Sequence, residues 1–278
     1  MISFALPPEL WLHVADYLTQ ADFRSLVPVN RTFFDLFTPS LYSDIIIDGT
    51  GYAFMSSTGY TSRDQVLKPK ARRLLETLEK TSRLRGYVRR CMIKNVKQNK
   101  PPFSPEPTNP QVLVFAETVK EIFILVGRLP SLELVTLERF DIPFEWIFYI
   151  CSQPNISLGI AISFCLVYGP VELPSDRSFN LTSLSILASN IGDCMPAMIH
   201  MIRLSSSLRE LRLDTSWTLQ DLFKKHVDNP GISLPKLEIL KIYRINLDHL
   251  EFFRSTPNLV DLRFKMWIKS ELGSSPIP

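Results

Sequence analysis

Glycine is scarce in this chain, at 10 of 278 residues, where about 7% is usual. Few glycines mean few left-handed turns and few loops whose backbone can close around a phosphate. No P-loop and no G-x-S-x-G elbow occurs, and "GTGYAF" (49–54) imitates a dinucleotide fingerprint without its third glycine. Cysteine is sparse as well. Cys91, Cys151, Cys165 and Cys194 lie far apart, with no C-x-x-C pair, so they read as buried small hydrophobes rather than a zinc or dithiol site. His13, His200, His226 and His249 never fall into a metal-binding spacing, and Glu117, Glu121 and Glu172 have no partner placeable within acid–base reach. The expectation is a chain without catalytic residues, bound metal or cofactor.

Charge of one sign is missing too. The 31 basic and 28 acidic side chains nearly cancel, which argues against a dedicated nucleic-acid binder. The most apolar stretch, "ISLGIAISFCLVYG" (156–169), falls short of the roughly 20 residues that span a bilayer. The N-terminus lacks a basic region followed by an apolar block, so no signal peptide is expected. Together these absences predict an intracellular protein, in the cytoplasm, the nucleus or both, that binds neither membrane nor nucleic acid.

Proline, by contrast, is plentiful, at 21 residues. In "LPPELWLHVADYL" (6–18), Pro7 and Pro8 suit a helix start and Glu9 complements its positive end. Leu10, Val14 and Leu18 recur at helical spacing, and Trp11 broadens that stripe. A second helix begins near Thr19 or Gln20, where "TQAD" resembles a capping box, and carries Phe23, Leu26 and Val27 on its apolar face; Pro28 limits it. Asn30 caps a third short helix, "NRTFFDLF" (30–37). Three helices of this size cannot bury so much apolar surface among themselves.

Downstream, an apolar–x–x–apolar–x–apolar pattern recurs: "LELVTL" (132–137), "LTSLSI" (181–186), "LRELRL" (208–213), "LEILKI" (237–242) and "LVDLRF" (259–264). Weaker copies are "VRRCMI" (88–93) and "SLGIAI" (157–162), the latter beginning on Ser157. From 132 the steps are 25, 24, 27, 29 and 22 residues, within the 20–29 range of leucine-rich repeats. Helical spacing fills the runs 111–129, 195–204 and 219–227 between strands, and 71–93 reads as a helix leading into a first strand. The expected fold is α/β: a short three-helix module, then a curved leucine-rich-repeat-like solenoid with parallel strands and outer helices. Domains are expected at 1–47 (helical module), 48–80 (connecting segment with a helix), 81–270 (solenoid, with a Pro-rich loop at 97–110) and 271–278 (tail).

Alternation makes the outward strand positions predictable. Arg212, Lys241 and Arg263 fall in one central column of adjacent strands, with Tyr243 and Lys265 one position on in the same alternation. These five are the candidate ligand face, for an acidic or phosphorylated peptide. The alternative is neutralisation by Glu210, Asp214 and Asp261, since four basic and three acidic residues leave a net of +1 there.

Residues 6–47 resemble an F-box, the adaptor-binding module of Skp–cullin–F-box ubiquitin ligases. The resemblance rests on Leu6-Pro7-x-Glu9, on "YLTQADFRSL" (17–26), on "VNRTFFDL" (29–36) and on "LYSDIII" (41–47). Asn30 replaces the family's usual cysteine, and Phe33-Phe34 stand around its usual aromatic position. The repeats resemble the irregular leucine-rich repeats of fungal F-box proteins, without a regular asparagine after each strand. The resemblance implies that Leu6, Pro7, Pro8, Glu9, Leu10, Leu18, Phe23 and Leu26 meet a Skp-type adaptor, and through it cullin. It also implies that the repeats hold a target protein, whose identity no motif reveals. Two other readings stay open: an F-box protein acting with the adaptor outside a ligase, and a repeat scaffold merely capped by its first helices.

Overall fold

The computed structural model describes residues 7–50, 54–56, 59–61, 66–67, 69–95, 120–139, 141–153, 157–169, 179–187, 189, 194–213, 234–242 and 256–264. The expected loop 97–110, the helical runs 111–119 and 219–227, and the tail 271–278 lie outside them.

Three helices open the chain: α1 (Pro8–Ala15), α2 (Gln20–Leu26) and α3 (Arg31–Ser43). The capping box forms as the sequence reads. Asp22 N–H donates to Thr19 Oγ1 at 3.3 Å, and Thr19 N–H donates to Asp22 Oδ2 at 2.8 Å. Asn30 Oδ1 accepts from Phe33 N–H at 2.8 Å and starts α3. That helix runs six residues past the expected end, straight through Pro39. A proline inside a helix forfeits one backbone bond, but Phe37 and Thr38 are buried just before it and Tyr42 packs on the main core, so burial outweighs the loss.

Helix α3 passes without a linking residue into β1 (Asp44–Thr50). The expected boundary at 47 therefore falls inside a strand. Beyond β1 come β2 (Phe54–Ser56), paired antiparallel with β3 (Gly59–Thr61), then β4 (Val66–Leu67), α4 (Pro69–Lys80), α5 (Ser82–Arg85) and β5 (Arg90–Asn95). A helix over 120–126 (α6) precedes β6 (Leu134–Glu138), β7 (Asp141–Pro143), α7 (Phe144–Cys151), β8 (Leu158–Ser163), β9 (Leu166–Tyr168) and β10 (Leu181–Leu187). Helix α8 (Met195–Arg203) and strands β11 (Glu210–Leu213), β12 (Ile239–Ile242) and β13 (Asp261–Phe264) complete the described elements.

The architecture is α/β with an open, mostly parallel sheet. Its nine strands run β13-β12-β11-β10-β8-β6-β5-β1-β4, and only the short β1–β4 pairing is antiparallel. Consecutive units thus lie side by side in chain order. Strand β1, toward which "LYSDIII" leads, pairs in parallel with β5 from Asp44↔Arg90 to Gly49↔Asn95 and so joins the sheet ahead of the first repeat strand.

Alternate strand residues point into one core, as a period of two demands. Val135, Leu137, Leu184, Ile186, Leu211, Leu213, Leu240 and Ile242 are buried together with Ile147 and Ile150 of α7 and Met198 and Met201 of α8. The helices therefore cover one face of the sheet. The weak repeat copy has a local cause: Leu158, not Ser157, stands opposite Leu181, and a register shift between Leu181 and Ser183 absorbs the extra residue.

A cysteine and a serine satisfy backbone carbonyls at the bends after β8 and β10. Cys165 Sγ donates toward Leu137 O (3.4 Å) and Ser163 O (3.3 Å), and Ser189 Oγ toward Ile162 O (3.4 Å) and Leu187 O (3.0 Å). Each reaches the preceding unit and its own. Ser189 Oγ also accepts Cys165 N–H at 3.2 Å, linking the two bends. Arg139 and Phe164, equivalent bend residues, both take φ 56°, the left-handed conformation that turns the chain out of the sheet.

Candidate interaction surfaces

The first surface is built by the N-terminal helices. Trp11, Phe23, Phe33 and Phe37 form one aromatic cluster, with centroids 4.8 Å apart for Trp11–Phe33, 5.6 Å for Phe23–Phe37 and 5.4 Å for Phe33–Phe37. Such pairs contribute about 0.5–1.5 kcal/mol each beyond their buried area. The cluster faces inward and leaves a different set outside: Leu10, Leu12, Val14, Tyr17, Val29 and Phe34 are exposed, Tyr17 at 88% and Leu12 at 52%.

This arrangement corrects the sequence-based stripe. Leu10 and Val14 face solvent while Trp11 faces the cluster, so the buried side of α1 lies about one residue round from the expected one. Phe23, expected at the adaptor surface, is only 7% exposed because its ring packs on Phe37, so it supports the cluster instead. Pro7, Glu9 and Leu10 are exposed, and Leu18 and Leu26 are half-buried. Pro8 opens α1, and Leu6 lies outside the described residues. Leu12, Tyr17, Val29 and Phe34 were missed; only their surplus over what three helices can bury hinted at them.

Polar contacts tie these helices to β1 and to α5. Gln20 Nε2 donates to the Asp44 carbonyl at 2.7 Å. Arg83, after α4, reaches Asp35 of α3 at 3.4 Å and donates through Nε to Tyr87 Oη at 2.7 Å. The Tyr87 hydroxyl, more than Asp35, holds the Arg83 guanidinium's pKa above its usual value.

The second surface is the sheet face that no described helix covers. Its central column reads Ile46, Met92, Thr136, Ala161, Ser185, Arg212, Lys241 and Arg263 across neighbouring strands. The outward positions deduced from alternation match this register. The middle of this column is small and uncharged, Glu138 of β6 standing beyond it opposite Lys94, and a Cβ on Gly159 would stand 2.5 Å from Ser183 Oγ and 3.1 Å from Leu134 Cδ1.

Charges sit at the two ends. Arg90 forms a two-bonded pair with Asp44 across β1 and β5, one bond being Nη2 to Oδ2 at 2.7 Å. That pairing pulls the Asp44 carboxyl below its usual range and lifts Arg90. Lys94 stands 3.9 Å from Asp48. At the far end Arg212 contacts Glu210 Oε1 through Nη2 (2.5 Å) and Nε (2.6 Å), and Arg263 contacts Asp261 at 2.9 Å. Lys241 Nζ lies 3.7 Å from the same Glu210 oxygen. Glu210 and Asp261 thus answer the basic column much as the neutralising alternative supposed. Tyr243, Lys265 and Asp214 lie outside the described residues.

Burial pushes the Cys91 thiol up to about 12 and the Cys151 thiol upward as well. Among the described residues no group of three potential metal ligands forms, and no helix is long and apolar enough to cross a membrane. No family model matches the chain, and no curated protein matches it.

Proposed function

We propose that this chain is the substrate-recognition subunit of a Skp–cullin–F-box type ubiquitin ligase, working inside the cell without catalytic chemistry of its own. Helices α1–α3 dock on a Skp-type adaptor and the uncovered sheet face holds a target protein. Ubiquitin transfer by the other subunits then gains from a raised effective concentration of the target's lysines. One observation carries the reading: six large apolar side chains stand exposed on and between the three N-terminal helices, although Trp11, Phe23, Phe33 and Phe37 already pack together inward. A monomer rarely exposes such a set without a partner. The F-box resemblance of residues 6–47 supplies the partner's identity. Co-purification with a Skp-type adaptor tests it. The wild type is expected to capture the adaptor, and the triple substitution Leu6→Ala, Pro7→Ala, Leu10→Ala to lose capture while staying folded. A folded wild type that captures none sinks the proposal.

A second reading, a scaffold whose first helices only cap the sheet, draws on the direct passage of α3 into β1 and on the complete burial of Phe37. Under it the triple variant would bind the same partners as the wild type.

A further inference from the structure

The two charged ends of the uncovered sheet face differ in stoichiometry. On β1 and β5 each cation has its own carboxylate, Arg90 with Asp44 and Lys94 with Asp48. On β11–β13 the described outward residues are three cations, Arg212, Lys241 and Arg263, against two carboxylates, Glu210 and Asp261. In sequence one further acid, Asp214, and one further base, Lys265, come next after two of these strands, and the two charges cancel in the count. Arg212 is committed to Glu210 by two short contacts, and Arg263 faces Asp261. Among the described residues, the ion pair of Lys241 is a 3.7 Å approach to an oxygen that Arg212 already occupies. Its side chain is only 26% exposed, so water compensates its charge incompletely.

Lys241 and Arg263 are register partners on adjacent strands about 4.8 Å apart, so both long side chains can turn to a single carboxylate once Lys241 swings from Glu210 on β11 toward β13. Asp261 engages Arg263 through Nε, while a guanidinium carries five N–H donors, so its terminal nitrogens still have donors to offer. Existing surface pairs of this kind contribute at most about 1 kcal/mol, so they offer little resistance to a competing anion.

We infer that Lys241 and Arg263 form a subsite for an unmodified acidic segment of the target, one Asp or Glu carboxylate lying between them. An excess of one positive charge matches a single carboxylate, whereas a phosphate brings nearly two negative charges. The inference rests on the proposed use of this face for target binding and specifies the target's chemistry.

The test is fluorescence anisotropy of the full chain with three labelled peptides: alternating alanine–glutamate, alanine–glutamine and alanine–phosphoserine. The glutamate peptide is expected to bind about tenfold or more tighter than the glutamine one, weakening as salt rises. Lys241→Gln combined with Arg263→Gln should abolish that preference with unchanged thermal melting. Equal binding of the glutamate and glutamine peptides, no binding by either, or binding of the phosphoserine peptide alone overturns the inference, and these readouts need only the wild type. Adaptor capture is scored on the same preparations. Its absence beside an intact glutamate preference sinks the ligase reading and leaves the subsite standing; intact capture beside lost preference sinks the subsite alone.

Discussion

At the scale of single residues, burial separates side chains that the sequence makes look alike. Phe37 and Leu10 both sit on apolar helical stripes, yet Phe37 is fully buried and Leu10 is 47% exposed. Phe37→Ala should lower unfolding stability by about 3–5 kcal/mol, and Leu10→Ala by well under 1 kcal/mol; urea unfolding of the two variants checks this. The cysteines make a second case. All four are buried and unpaired by disulfides, and burial holds the Cys91 and Cys151 thiols protonated. A thiol reagent at mildly alkaline pH should therefore leave the folded chain unlabelled and modify all four positions in denaturant. Fast labelling of the native chain would contradict that burial.

Elements are joined by a few polar contacts whose effects can be separated. Arg90 lowers the Asp44 pKa, so this carboxylate stabilises the fold fully above its unfolded value of about 3.9. That stability is lost as pH falls through the depressed folded value. Asp44→Asn should flatten the acid limb of a melting-temperature–pH profile while changing its slope little above neutrality. The bends pose a separate question. Ser189 Oγ serves two carbonyls and the Cys165 amide, so Ser189→Ala leaves buried groups unsatisfied and should cost about 1–3 kcal/mol. Differential scanning calorimetry would read the loss, and Ser189→Asn is the informative companion substitution.

For the whole molecule, most of the parallel sheet was legible because a period of two fixes which strand residues face in and which face out. Arg212, Lys241 and Arg263 could be placed in one column before any coordinate was known, since equal motif positions in stacked units must align. That β1 belongs to the same sheet was hidden, because its partner β5 is separated from it by β2–β4 and two helices. Helix α7 escaped notice because "FEWIFYIC" is apolar at every position but Glu145, so its buried stripe does not stand out in the sequence. The N-terminal surface was half legible. With Leu10, Trp11, Leu12 and Val14 all apolar, periodicity admits more than one inward face, and only the position of Phe33 and Phe37 on α3 selects it. Ion pairs such as Arg83–Asp35 and Arg90–Asp44 join residues more than forty positions apart and needed the register first.

The unbroken passage from α3 into β1 also makes the sheet a ruler. Seven strand-to-strand steps separate β1 from β13, roughly 34 Å along the sheet at about 4.8 Å per step. Each outward side chain thus has a set distance from the N-terminal helices, counted in rungs. Inserting one more strand–helix unit between β10 and β11 would carry Lys241 and Arg263 one rung further away while altering neither surface, so reach and recognition can change independently in this chain.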